Sequence, residues 1–142
     1  MIFVKTDNMK KVILLIFFTL NCSVINAQEI DIVGNWKVIK IISPKLVDNE
    51  NLQNMLNGLS ESTFHLKEDE SISITSTNST EGFRYFSMLA NGATWSFKDH
   101  TITLVNENIK ELIMRVFVSM NDGKTIFTFN ESNLILEVVK NK

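Results

Sequence analysis

From residue 32 onward the apolar residues fall in short runs rich in β-branched and aromatic types, alternating with polar positions and separated by clusters of Asn, Asp, Gly and Ser. A period of two is the mark of half-buried strands. It predicts strands over residues 33–42, 62–67, 71–76, 83–89, 93–98, 101–105, 111–120, 125–130 and 133–140. The connections are short: Glu68-Asp69-Glu70, Asn91-Gly92, Asp99-His100, Asn121-Asp122-Gly123 and Glu131-Ser132. Asn-Gly and Asp-Gly supply the positive φ that tight hairpins require, so successive strands should run up and down as neighbours. A long meander leaves open edges unless it closes into a barrel or splits into a sandwich.

One segment breaks the period. Leu52, Met55, Leu56 and Leu59 recur at i, i+3, i+4 and i+7 within residues 48–59, with Asp48 or Asn49 placed to cap and Gly58 near the end. This predicts one amphipathic helix between the first and second strands, its apolar face plugging or covering a barrel end. Pro44 ends the first strand where its missing N–H does little harm. On the strands, Trp36, Val38, Phe64, Leu66, Ile72, Ile74, Trp95, Phe97, Ile102 and Leu104 share one face and should supply most of the core.

The first residues follow a different logic. Met9-Lys10-Lys11, the apolar run from Val12 to Phe18 and the exit Ile25-Asn26-Ala27 have the order of a secretory signal peptide over residues 1–27, for which Met9 is an alternative start. The run is far shorter than the roughly 20 residues of a membrane-spanning helix. Residues 28–142 are then the mature domain, exported to a periplasmic or extracellular destination with no transmembrane segment of its own. Cys22 is the sole cysteine and lies in the removed segment; lipidation at Cys22 is the alternative fate. An exported domain without disulfides is more usual in bacteria. Removing Lys5, Lys10, Lys11 and Asp7 takes the formal charge from −2 to −4, which argues against nucleic acid or an anionic membrane as the main partner.

On that organisation, the stretch Ile32-Val33-Gly34-Asn35-Trp36-Lys37-Val38 resembles the Gly-x-Trp opening of the lipocalin-like (calycin) superfamily. Residues 64–70 and 93–99 are similar to strands of its small bacterial exported members. The resemblance implies an all-β antiparallel up-and-down barrel of 8–9 strands, with the one short helix inserted after the first. It also implies Gly34 and Trp36 as structural anchors at the closed end, Trp36 lying beneath a cation from a late strand. Arg115 is the first candidate for that cation and Lys140 the second, because an indole face attracts a cation and a long stem excludes water.

Chemistry is sparse. His65 alternates with Phe64 and Leu66 and so faces outward, and His100 sits in a turn; neither has a partner at metal-ligand spacing. There is no nucleophile elbow or phosphate loop, so no catalytic residue, metal or cofactor is expected. Phe83-Arg84-Tyr85-Phe86 has apolar residues on both faces, so one of Arg84 and Tyr85 should point inward, where an arginine could clamp a carboxylate as in fatty-acid-binding barrels. Met88 and Met114 are adaptable lining residues. The ligand-binding expectation is therefore Arg84, Tyr85, Met88, Trp95, Phe97, Met114 and Arg115 around a small hydrophobic or amphipathic ligand. Ile39, Ile41, Phe127 and Phe129 add apolar surface beyond what one inner face needs. They favour the alternative of a packed barrel acting through its outer surface on a protein partner or a second copy, as an envelope or inhibitory module.

Overall fold

In the computed structural model, residues 30–42 and 49–142 are described. The signal-peptide reading, Cys22, Pro44 and Asp48 lie outside them. Eight strands form: β1 Gly34–Ile41, β2 Ser62–Leu66, β3 Ile72–Ser76, β4 Thr94–Lys98, β5 Thr101–Asn106, β6 Glu111–Asn121, β7 Lys124–Phe129 and β8 Ile135–Asn141. They make one antiparallel sheet in the order β3-β2-β1-β8-β7-β6-β5-β4. The first strand thus lies between its neighbour and the last, with Trp36 opposite both Phe64 and Lys140. The sheet curls until its edges meet at a single bridge, Ser71 to Thr94. The result is a nearly closed barrel.

Alternation is obeyed along almost every strand. Val38, Phe64, Leu66, Ile74, Ile102, Leu104, Val116, Val118, Phe127, Leu136 and Val138 are all buried, while the residues between them face outward. Nine of the ten sequence-assigned core residues are buried; Phe97, near the end of β4, is half-buried. The hairpins use the backbone that their turn residues allow. Asp99 and His100 both have positive φ (51° and 58°), as do Asp122 and Gly123 (51° and 75°), the two-residue geometry that matches strand twist.

Helix α1, Glu50–Leu59, forms where its period placed it. The Asn49 carboxamide oxygen accepts from the amides of Asn51 and Leu52 at 3.1 and 3.3 Å, satisfying two donors that no helical carbonyl reaches. The expected strand over residues 83–89 is instead a second helix, α2, Glu81–Asn91. Its aromatic density favours a strand, but Phe83, Ser87 and Ala90 bury one helical stripe, Phe86 lies half-buried beside them, and the Thr80 hydroxyl accepts from the Phe83 amide. A cap and a tertiary surface to cover outweigh β-propensity. Asn91-Gly92 accordingly ends this helix rather than turning a hairpin: Gly92 is its C-cap, with φ −106°.

The two helices cross at glycines. A methyl group on Gly58 would stand 2.3 Å from Phe83 Cβ, and one on Gly82 would stand 2.9 Å from the Met55 amide nitrogen. Thr80 Oγ1 donates to the Asn54 carbonyl at 2.7 Å across the same crossing. The pair is tied to the barrel where β3 lacks a strand neighbour. Asn91 Oδ1 accepts from the Ile74 amide at 3.0 Å, and Ser76 Oγ donates to the Gly58 carbonyl at 2.6 Å. An edge that would otherwise be open is therefore covered by helix and side-chain acceptor.

Candidate functional site

At the start of β1, the Trp36 indole N–H donates to the Ile32 carbonyl at 2.8 Å, and Lys140 Nζ lies 5.7 Å from the centre of the ring. The late-strand cation over Trp36 is Lys140. Arg115, the first candidate, is exposed on the outer wall: Met114 and Val116 on either side of it are buried, and alternation turns the residue between them outward. Gly34 makes room for the contact. It has φ +138°, and a methyl group there would stand 2.6 Å from Lys140 Cε. The Gly-x-Trp pair works as a unit in which the glycine lets the lysine stem reach the indole face.

Above this end the interior is filled. Phe127 lies 5.7 Å from Trp36 and 5.9 Å edge-on from Phe64, which in turn lies 6.2 Å from Phe129. Among the described residues, the void enclosed by Phe64, Leu66, Ile102, Met114 and Phe127 is about 10 Å³, no more than the smallest space that admits one water. Met114 is thus a packed core residue. Phe127 and Phe129 also belong to the core, not to an outer patch.

The sequence-assigned ligand residues do not converge. Arg84, Tyr85 and Met88 lie on the exposed side of α2, where Tyr85 and Met88 are 70% and 74% accessible. No barrel interior is within the reach of that face, because a helix carries them. Trp95 is buried at the seam: its backbone amide donates to the Glu70 carbonyl at 2.9 Å and its indole N–H to the Lys67 carbonyl at 3.1 Å. It closes the barrel. Phe97 sits beyond it toward the strand end.

Two surface features remain. A cleft of about 480 Å³ opens between α1 and α2, edged by Asn51, Asn54, Met55, Glu81 and Tyr85. On the opposite polarity scale, the outer face of β1 to β3 carries a short relay. Asn35 Oδ1 can only accept, so His65 Nδ1 donates to it at 2.7 Å, leaving Nε2 to accept from the Thr75 hydroxyl at 2.8 Å. Desolvation, and then the nearby Lys67 charge, hold the His65 pKa below the ordinary histidine value. The folded state therefore disfavours the proton that the unfolded chain accepts. Stability from this site is expected to be complete above pH ~6.5 and to be lost as the pH falls toward the lowered folded value. Urea midpoints of the protein and of His65→Gln should converge over that descent; a gap that stays constant would remove the histidine as its source.

Among the described residues, no group of three or more His, Cys, Asp or Glu is placed to hold a metal ion, and no helix is long and apolar enough to cross a membrane. Asp69 and Glu107 are held below the usual carboxylate range, Asp69 by hydrogen bonds from Ser71 and Glu107 by those from Lys110 and Thr94. Both are exposed turn residues; the bonds of Asp69 order its own turn, and those of Glu107 tie its turn together and to Thr94 on β4.

The outer wall carries apolar surface of its own. Across β6, β7 and β8, Phe117 is in register with Thr128 and Thr128 with Ile135, and the Ile42 amide bonds the Ile135 carbonyl at 2.8 Å. In the next rows Ile126 stands beside Glu137, and Val139 beside Lys37. Ile39 alternates outward from buried Val38, 53% accessible, and the bulge between Val38 and Lys40 puts Lys40 on the outer face as well, opposite Glu137. Sequence reasoning named Ile39 but missed Phe117, Ile126 and Val139, because the outer rows are visible only once the register is known. Comparison with protein-family models, curated proteins and solved structures yields no match to this chain.

Proposed function

We propose that this protein is a non-enzymatic, lipocalin-like barrel that acts as an interaction module through its outer surface, rather than as a carrier of a ligand inside the strands. The observation that supports this is the filled interior, with a void of about 10 Å³ where a ligand pocket needs about 300–1,000 Å³. An eight-stranded barrel can be filled by its own side chains, and here Trp36, Phe64, Phe127 and Phe129 do the filling. Exposed Phe117, Ile39, Ile42 and Val139 leave a wall with more apolar surface than solubility calls for.

The test uses the two tryptophans, both buried against the interior. Titration with fatty acids and other small hydrophobes is expected to leave their emission unchanged. Saturable quenching or enhancement by any member of the panel would return the protein to the carrier class.

A second reading is favoured by the cleft between the helices. Its volume of about 480 Å³ lies within the range of small-molecule sites, and Tyr85, one of the expected ligand residues, lines it. A small amphipathic molecule held there would leave Trp36 and Trp95 untouched. Its binding would appear in calorimetry and disappear in Tyr85→Ala.

A further inference from the structure

The formal charge of the chain is negative, but the charge is not evenly spread. Acidic residues gather in turns and at helix starts: Glu68, Asp69 and Glu70, Asp99, Glu107, Asp122, Glu131, Glu50 and Glu81. Within the strands only Glu111 and Glu137 are acidic, whereas Lys37, Lys40, Lys98, Arg115, Lys124 and Lys140 are basic. Lys140 is turned onto Trp36 and Lys98 lies at the far edge strand. The other four cations fall on β1, β6 and β7, around the apolar wall.

Their arrangement follows the curvature. On a convex wall made of β6, β7, β8 and β1, the middle strands form the crest, and here they carry Ile126, Ile135 and Val139 outward. The shoulders carry Lys37, Lys40, Ile39 and Ile42 on the β1 side and Arg115 and Phe117 on the β6 side, all exposed. Glu137, the one acid on the crest, is matched by Lys124 at 3.4 Å, and Glu131 lies at the turn beside Arg115, accepting from its amide. Lys37, Lys40 and Arg115 point outward without an ion pair to any described residue. An aliphatic crest between cationic shoulders complements a surface that is apolar a few ångströms below an anionic layer. Long cationic stems can reach back to such a layer while the crest sinks past it.

We propose that this wall docks on an anionic phospholipid surface. The proposal rests on the outer-surface reading above and names the partner's chemistry. An acidic protein would meet the same charge, but protein hot spots are built from Trp, Tyr and Arg in well-packed pockets. This wall has an aliphatic crest and mostly lysine, a hydrated point charge suited to diffuse phosphate rather than to bidentate pairing. Each cation near such a surface strengthens binding by about fivefold.

The experiment is co-sedimentation of the full chain with phosphatidylcholine vesicles and with vesicles in which about one lipid in four is phosphatidylglycerol. Preferential binding to the anionic vesicles, reversed by high salt, is expected. The triple variant Lys37→Gln, Lys40→Gln, Arg115→Gln should lower the partition coefficient roughly 100-fold with unchanged tryptophan emission. Ile126→Thr with Ile135→Thr, which keeps strand propensity, should lower it as well. Equal binding to both vesicle types, or binding that none of these variants alters, would mean attachment through the apolar run at residues 12–18 or by no specific surface, and overturns the proposal. Cation-dependent capture of an acidic protein without vesicle binding overturns it too, while leaving the outer-surface reading intact. Saturable tryptophan quenching in the ligand titration would instead remove that reading, whatever the vesicles show.

Discussion

Phe127→Ala is expected to lose about 4 kcal/mol of folding stability, the upper part of the range for truncating a buried phenylalanine. Phe127 is 1% accessible and lies between Trp36 and Phe64, so its ring joins β7 to β1 and β2 through the interior. No neighbour is placed to collapse into its space, since the surrounding strands are held in register by their ladders. The urea midpoint should fall steeply with little change in slope. The same variant offers a sharper check: a ring-sized hole lined by Phe64, Leu66, Ile102 and Met114 should stay dry and take up benzene, as apolar cavities of that size do. A variant within 1 kcal/mol of the parent and unable to bind benzene would mean that the interior is loosely packed, and the case against an internal ligand would fail.

The second large effect is expected at a residue without a side chain. Gly58→Ala should cost about 3 kcal/mol, because overpacking a close helix contact forces the backbones apart. The added methyl would meet Phe83 Cβ and Cγ at 2.3 and 2.7 Å and the Asn78 carbonyl at 3.0 Å, and no rotamer change can withdraw the Cβ or the carbonyl. Gly92→Ala is the matched control, with nothing within 4 Å of the new methyl and a negative φ. It should leave stability unchanged or slightly raised. Thermal melts of the two variants would decide the matter; equal melting temperatures would show that the helix pair is not held at the spacing described.

The sequence carried the barrel because its period of two is a direct image of inside and outside. Trp36, Val38, Phe64, Leu66, Ile72 and Ile74 could be assigned to one face without knowing which strands pair. The segment Phe83-Arg84-Tyr85-Phe86 resisted because aromatic residues satisfy a strand and a helix equally in a short window. What decides between them is Gly58, twenty-five positions earlier and visible only in three dimensions. That one misassignment moved Arg84, Tyr85 and Met88 from an imagined pocket to an exposed helix face. Arg115 and Lys140 failed and succeeded for the same reason: which face a cation takes depends on the phase of its strand, and the apolar neighbours of Arg115 already occupied the inside. The outer wall was the least legible feature, since it is built from four strands whose order, β6-β7-β8-β1, joins the two ends of the sequence.

The seam between β3 and β4 has a mechanical consequence. Seven of the contacts around the cylinder are full hydrogen-bonded ladders, whereas the eighth is one bridge and the bonds of Trp95. A load that slides β1 against β8 must shear a whole ladder at once, but a load that draws β4 away from β3 meets its bonds one at a time. The molecule is therefore anisotropic, stiff along most of its circumference and easily unzipped along one line, and Trp95 is the catch that holds that line shut.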